Sequence, residues 1–146
     1  MGFIDIFKDE HKVIKEKLIR LGRSIELAPS KPNESLTDIK EILSFFTESL
    51  FSHFRNEEDL HISNDKKSPN SDQVLQMFNR VKKEHEIIIN EIQDFKEEVT
   101  KMENAKLFCD GIAINGMKLL HDLGDHIRFE ENNFFPSLNG KTKVKK

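Results

Sequence analysis

At 146 residues, with 34% charged and 36% apolar side chains, the chain has the size and composition of one soluble helical domain with its own core. A formal net charge of −3 argues against nucleic acid as a main partner, since phosphate binding wants a basic face, and one cysteine, Cys109, excludes an internal disulfide or a multi-thiolate metal site. No stretch approaches the ~18 apolar residues of a membrane span, and residues 1–10 lack the basic start and apolar run of a signal peptide, so a cytoplasmic protein without a membrane partner is expected.

Ile4, Phe7, His11, Ile14, Leu18, Leu21 and Ile25 recur at alternating spacings of three and four. That is the buried seam of a bundle helix, with a histidine in a core slot. Pro29 and Pro32 close it, and Ser35 to Asp38 read as the N-cap and acidic first turn of a second helix. Its inner face carries Ile39, Ile42, Leu43, Phe46, Leu50, His53, Phe54, Glu57 and Leu60. Residues 63–72 form a polar loop.

A third helix is predicted from about Val74, with Met77 or Phe78, Val81, His85, Ile88, Ile92, Phe95 and Val99 in register. The fourth begins near Asn104, bears Phe108, Ile112, Leu119, Leu123, His126, Glu130 and Phe134, and ends at Pro136. Gly111, Gly116 and Gly124 interrupt it, signalling close packing or room for a small ligand. No strand pattern competes. The expected fold is all-α, an up-down-up-down four-helix bundle over residues 1–138 followed by a basic tail, 139–146.

The chain also repeats itself. His53-Phe-Arg-Asn-Glu57-Glu58 is echoed by His126-Ile-Arg-Phe-Glu130-Glu131, and Glu10-His11 by Glu84-His85. The separation is 73 residues for the first pair and 74 for the second, two helices in each case. This is an internal duplication.

What is duplicated carries chemistry. Each His-x-x-x-Glu puts an imidazole and a carboxylate on one helix face, one turn apart. Two carboxylates side by side in a bundle core are costly unless something positive lies between them. Arg55 and Arg128 lie two residues after their histidines, about 200° around the helix, and point away. A pair of metal ions supplies the missing charge, held by His11, His53, Glu57, His85, His126 and Glu130. With both glutamates bridging, each ion receives two imidazoles and two carboxylate oxygens. An additional oxide or hydroxide bridge leaves one position per ion open to a diatomic gas or peroxide. Mixed imidazole and carboxylate ligation suits iron ahead of manganese or zinc.

The pattern His11, His53-x-x-x-Glu57, His85, His126-x-x-x-Glu130 resembles the hemerythrin-like (HHE cation-binding) domain family, over about residues 3 to 138. The resemblance implies a four-helix bundle around a carboxylate-bridged pair of iron ions that reacts with oxygen or nitric oxide. Oxygen-carrying members have a second histidine on the third helix, where this chain has Ile89, and an aspartate five residues after the fourth-helix histidine, where it has Glu131. Its ligand set is more similar to those of iron-centre repair and iron-sensing relatives. Three functions follow as alternatives: a protein that binds or senses oxygen, nitric oxide or related small oxidants; an iron donor or a di-iron enzyme removing peroxide or nitric oxide; and a metal-free structural bundle. No protein partner is indicated.

The remaining polar residues are less constrained. His121 falls about 140° from His126 around the helix, on another face. His61 lies one turn after Glu57, but Phe134 is its counterpart in the repeat, which favours packing. Glu58, Glu131, Glu10 and Glu84 face solvent or hold the outer proton of a ligand imidazole. Twelve phenylalanines with no tyrosine or tryptophan exclude a tyrosyl-radical enzyme.

Overall fold

A computed structural model describes residues 2–60, 71–105 and 110–142, and in these the chain forms four long helices and no strand. The first is Phe3–Leu27. The second is continuous from Pro32 to Glu58, with a π-helical turn at Phe46–Leu50 between its α-helical parts. Ser71–Ala105 is the third. The fourth runs from Asp110 to Thr142 through a second π turn at Glu130–Phe134. Among the described residues no helix is long and apolar enough to cross a membrane.

Contacts between helices give their directions. Ser24 lies against Ser35 near the first connection, while His11 reaches His53 at the far end. Lys40 pairs with Glu103 at one end of the second and third helices, and Glu58 with His85 at the other. Glu91 faces Lys118, and Glu84 faces His126. Consecutive helices are therefore antiparallel, and contacts between His11 and Glu131 close the ring. This is the all-α, up-down-up-down bundle expected from the spacing of apolar residues.

Several helix ends differ from expectation. Pro32 starts the second helix at its first position, where fixed φ and a missing N–H cost nothing. Ser35 is consequently inside the helix, buried, and its hydroxyl donates to the Ser24 carbonyl at 2.6 Å. Asn104 belongs to the third helix rather than the fourth. Pro136 lies inside the fourth helix instead of ending it. Just before it the backbone is in the wide register, the Phe135 N–H bonding to the Glu130 carbonyl, which gives the proline ring space to continue. Phe108, Cys109 and His61 lie outside the described residues.

Buried apolar side chains form two clusters. The larger includes Ile14, Leu18, Leu21, Ile42, Phe46, Phe54, Ile88, Phe95, Leu119 and Ile127. The smaller gathers Phe7, Val74, Phe78, Val81, Phe134, Phe135 and Leu138 at the other end. His11 sits in sequence between Phe7 and Ile14, and His85 between Val81 and Ile88, so a polar layer crosses the bundle where the clusters meet. Ile89, by contrast, packs beside the larger cluster.

The buried Gly116 marks a tight crossing of three helices. A Cβ there would stand 2.5 Å from Ile25 Cδ1 and 3.0 Å from Phe95 Cε1. Gly116→Leu should therefore destabilise the bundle by about 1–3 kcal/mol through overpacking, read as a lower urea midpoint at unchanged slope. An unchanged midpoint would show that the crossing is looser than these contacts require.

Candidate metal centre

The fold brings together all six residues singled out from the sequence. His11, Glu57, His85 and Glu130 are each 0% exposed, and His53 and His126 are 2% exposed. Two groups result, His11, His53, Glu57 and Glu130, and Glu57, His85, His126 and Glu130. Within each, one donor atom per residue lies within 4.8 Å of the others, which is the spacing of groups able to share an ion. Both carboxylates belong to both groups. Glu57 lies 3.1 Å from His53 Nε2 and 3.0 Å from His85 Nε2. Glu130 is 3.1 Å from His11 Nε2 and 3.4 Å from His126 Nε2.

Each imidazole presents Nε2 inward and is held from outside through Nδ1. His11 Nδ1 donates to Glu131 at 2.8 Å and His53 Nδ1 to Glu10 at 2.7 Å. His85 Nδ1 donates to Glu58 at 2.7 Å and His126 Nδ1 to Glu84 at 2.8 Å. A proton fixed on Nδ1 leaves the Nε2 lone pair free, which is the tautomer a metal ligand needs. The carboxylate next in sequence to one of the six residues thus serves the imidazole of a different helix. Sequence spacing left these four glutamates between solvent and such a role, since it does not show which neighbouring helix each reaches. His121 stands apart, its side chain 71% exposed and paired with Asp122 and Asp125.

Aromatic rings wall in the layer. Phe54 stacks on His85 with ring centres 3.9 Å apart, and Phe135 stacks on His11 at 5.6 Å. The π turn beginning at Glu130 makes this possible. It shifts the phase of the helix between Glu130 and the buried pair Phe134 and Phe135.

The inner atoms are under-partnered. Glu57 Oε2, both oxygens of Glu130 and His126 Nε2 are buried without a hydrogen-bond partner. No lysine or arginine pairs with either carboxylate among the described residues. A buried polar group left this way costs free energy, and cations between the carboxylates and imidazoles satisfy it. The donor set fits a transition metal.

The profile of the hemerythrin HHE cation-binding domain matches residues 2–138. The chain belongs to that family. Among curated proteins and solved structures no match is found.

Without a metal, protons must supply the positive charge. Burial disfavours the charged imidazole of His11, but the adjacent Glu130 and Glu57 carboxylates outweigh it and push the group up to about 10. The same balance carries His85 up to about 9, and raises His53 and His126. For Glu57 and Glu130, burial and mutual repulsion favour the neutral acid, yet the surrounding imidazoles hold both below the usual carboxylate range.

The raised imidazoles stabilise the metal-free fold fully below their ordinary value of 6.5, and that stability is lost as pH rises through 9 to 10. The depressed carboxylates contribute above their ordinary 4.5 and lose that contribution as pH falls through their folded values. Chelator-treated protein should accordingly have a lower urea midpoint at pH 10 than at pH 6. An equal or higher midpoint at pH 10 would contradict the charge balance described.

Proposed function

We propose that the chain holds two iron ions between His11, His53, Glu57, His85, His126 and Glu130, and uses them to bind or sense oxygen, nitric oxide or a related small oxidant. The observation that carries this reading is the sharing of two buried, under-partnered carboxylates by two groups of imidazoles. Glu57 and Glu130, which belong to both groups, would be shared between the ions, and each pair of histidines would complete one side.

Iron, when bound, supplies the redox-active centre to which a small oxidant responds. The protein's part is orientation and exclusion. Glu10, Glu58, Glu84 and Glu131 fix the imidazole protons outward, while Phe7, Phe54 and Phe135 surround the rings and keep water out. With neither tyrosine nor tryptophan in the chain, the most readily oxidised aromatic side chains are missing from its surroundings. A cytoplasmic setting belongs to the same reading.

Mixing the reduced, iron-loaded protein with oxygen or nitric oxide in a stopped-flow spectrometer tests the function. A spectral change that reverses when the gas is removed is expected. Sustained consumption of nitric oxide or peroxide would instead identify a detoxifying enzyme, and no change with any of them would sink both. Glu57→Ala or Glu130→Ala should lose metal while circular dichroism shows the helices retained. Retention of both ions would contradict bridging.

A further inference from the structure

Gly116 and Gly124 both interrupt the fourth helix, for different reasons. A Cβ on Gly116 would press on Ile25 at 2.5 Å and Phe95 at 3.0 Å, so that glycine serves packing. Gly124 is half-buried, yet a Cβ there would meet only Arg128 Nη1, at 3.8 Å, an ordinary contact. Packing does not require a glycine here, and a glycine inside a helix weakens it. What Gly124 does is leave room. It lines a groove of about 550 Å³ between the first and fourth helices. Small-molecule sites occupy roughly 300–1,000 Å³.

The duplication shows what this position otherwise holds. Gly124 stands two residues before His126, and two residues before His53 the first half has Phe51, which packs against the larger apolar cluster. Along the same face, polar residues of one crossing are apolar in the other. Ile19 follows His11 at the distance at which Gln93 follows His85, and Met117 precedes His126 as Ser44 precedes His53. Ile19 and Met117 are 57% and 51% exposed, where a solvated helix face asks for the polar residues that their counterparts supply. Together with Leu18, Leu120 and Ile127 they give the groove an apolar lining.

The polar part of the lining is of one kind. It consists of the nitrogen donors of Lys15, Arg128 and His121, and among the described residues no carboxylate lines the groove. Lys15 bonds Glu131, Arg128 pairs with Asp125, and His121 pairs with Asp122 and Asp125. Those carboxylates lie outside the groove, and ion pairs this exposed are exchanged at little cost. The two helices run antiparallel, with His11 beside Glu131 at one level and Gly22 beside Leu120 at another. Lys15 and Arg128 therefore share the end nearest the metal layer, and Ile19 and Met117 lie away from it.

We infer that the groove between the first and fourth helices, apolar along its length and cationic at its Lys15–Arg128 end, binds a small anionic amphiphile, a medium-chain carboxylate of the fatty-acid class. The planar fork of the Arg128 guanidinium matches a carboxylate head, and the Lys15 ammonium adds a second donor. The tail covers Ile19, Met117 and Leu120, removing from water apolar surface that the fold leaves exposed. Gly124 keeps open the space that Phe51 fills at the related crossing. The inference goes beyond the metal-binding reading and does not depend on it, since none of those six residues lines the groove.

Calorimetric titration of the full chain with decanoate tests this, with circular dichroism of each variant to verify its fold. Saturable binding of one decanoate per chain is expected. Gly124→Phe, which installs the residue of the other half, should weaken binding roughly tenfold or more by filling the groove. Ile19→Gln/Met117→Ser, at two exposed positions that do not support the fold, should weaken it to a similar degree. Arg128→Gln should weaken decanoate binding severalfold but leave that of uncharged decanol unchanged. The absence of saturable binding by the wild-type chain overturns the inference, as does wild-type affinity in either groove variant. Equal loss of decanoate and decanol in Arg128→Gln overturns the assignment of the head. Two further results overturn it in favour of another occupant. One is binding to phosphatidylcholine–phosphatidylglycerol vesicles without binding to decanoate. The other is a decanoate-insensitive dimer in sedimentation that Gly124→Phe makes monomeric.

Discussion

Everything at the centre of this bundle follows from two carboxylates, Glu57 and Glu130, buried side by side with no lysine or arginine on either among the described residues. Like charges in a low-dielectric layer repel, and burial disfavours each separately. The fold answers by surrounding them with four imidazoles, each able to accept a proton or a metal. In the metal-free state the imidazoles are driven toward protonation, as the upward shifts of His11 and His85 show. Cations do the same work more completely, because they also satisfy carboxylate oxygens left without a partner.

Duplication explains how so few residues make so complete a layer. Glu10 serves His53 and Glu84 serves His126; Glu58 serves His85 and Glu131 serves His11. Exchanging the two halves maps each of these bonds onto another. Each of the four imidazoles is therefore fixed by a carboxylate from a different helix, and the four helices are tied at this level through hydrogen bonds as well as packing. The halves have diverged outside the layer, where Ser49 and Lys17 in one stand opposite Asp122 and Glu91 in the other.

Much of this was legible in the sequence because helical periodicity and duplication are strong, redundant signals. Apolar spacing at three and four placed His11, His53, His85 and His126 inward, and the repeat separated them from His61 and His121. What spacing could not show was tertiary. Glu58 and Glu131 are polar residues one step off the core stripe, and only the neighbouring helix determines whether they meet water or an imidazole. The π turns left no mark in composition, yet the second one brings Phe135 onto His11 and carries the helix past Pro136. Ser35 looked like a cap because serine usually is one; Pro32 started the helix first, and the hydroxyl found the Ser24 carbonyl instead.

The most direct test of this account is the metal content of protein purified without chelators, read together with its unfolding midpoint. Two iron ions per chain, with a midpoint that falls when they are removed at neutral pH, is the result expected of a layer built around two bridging carboxylates. Fewer than one metal per chain, with full stability, would show that the buried glutamates and histidines balance one another unaided, and would contradict it.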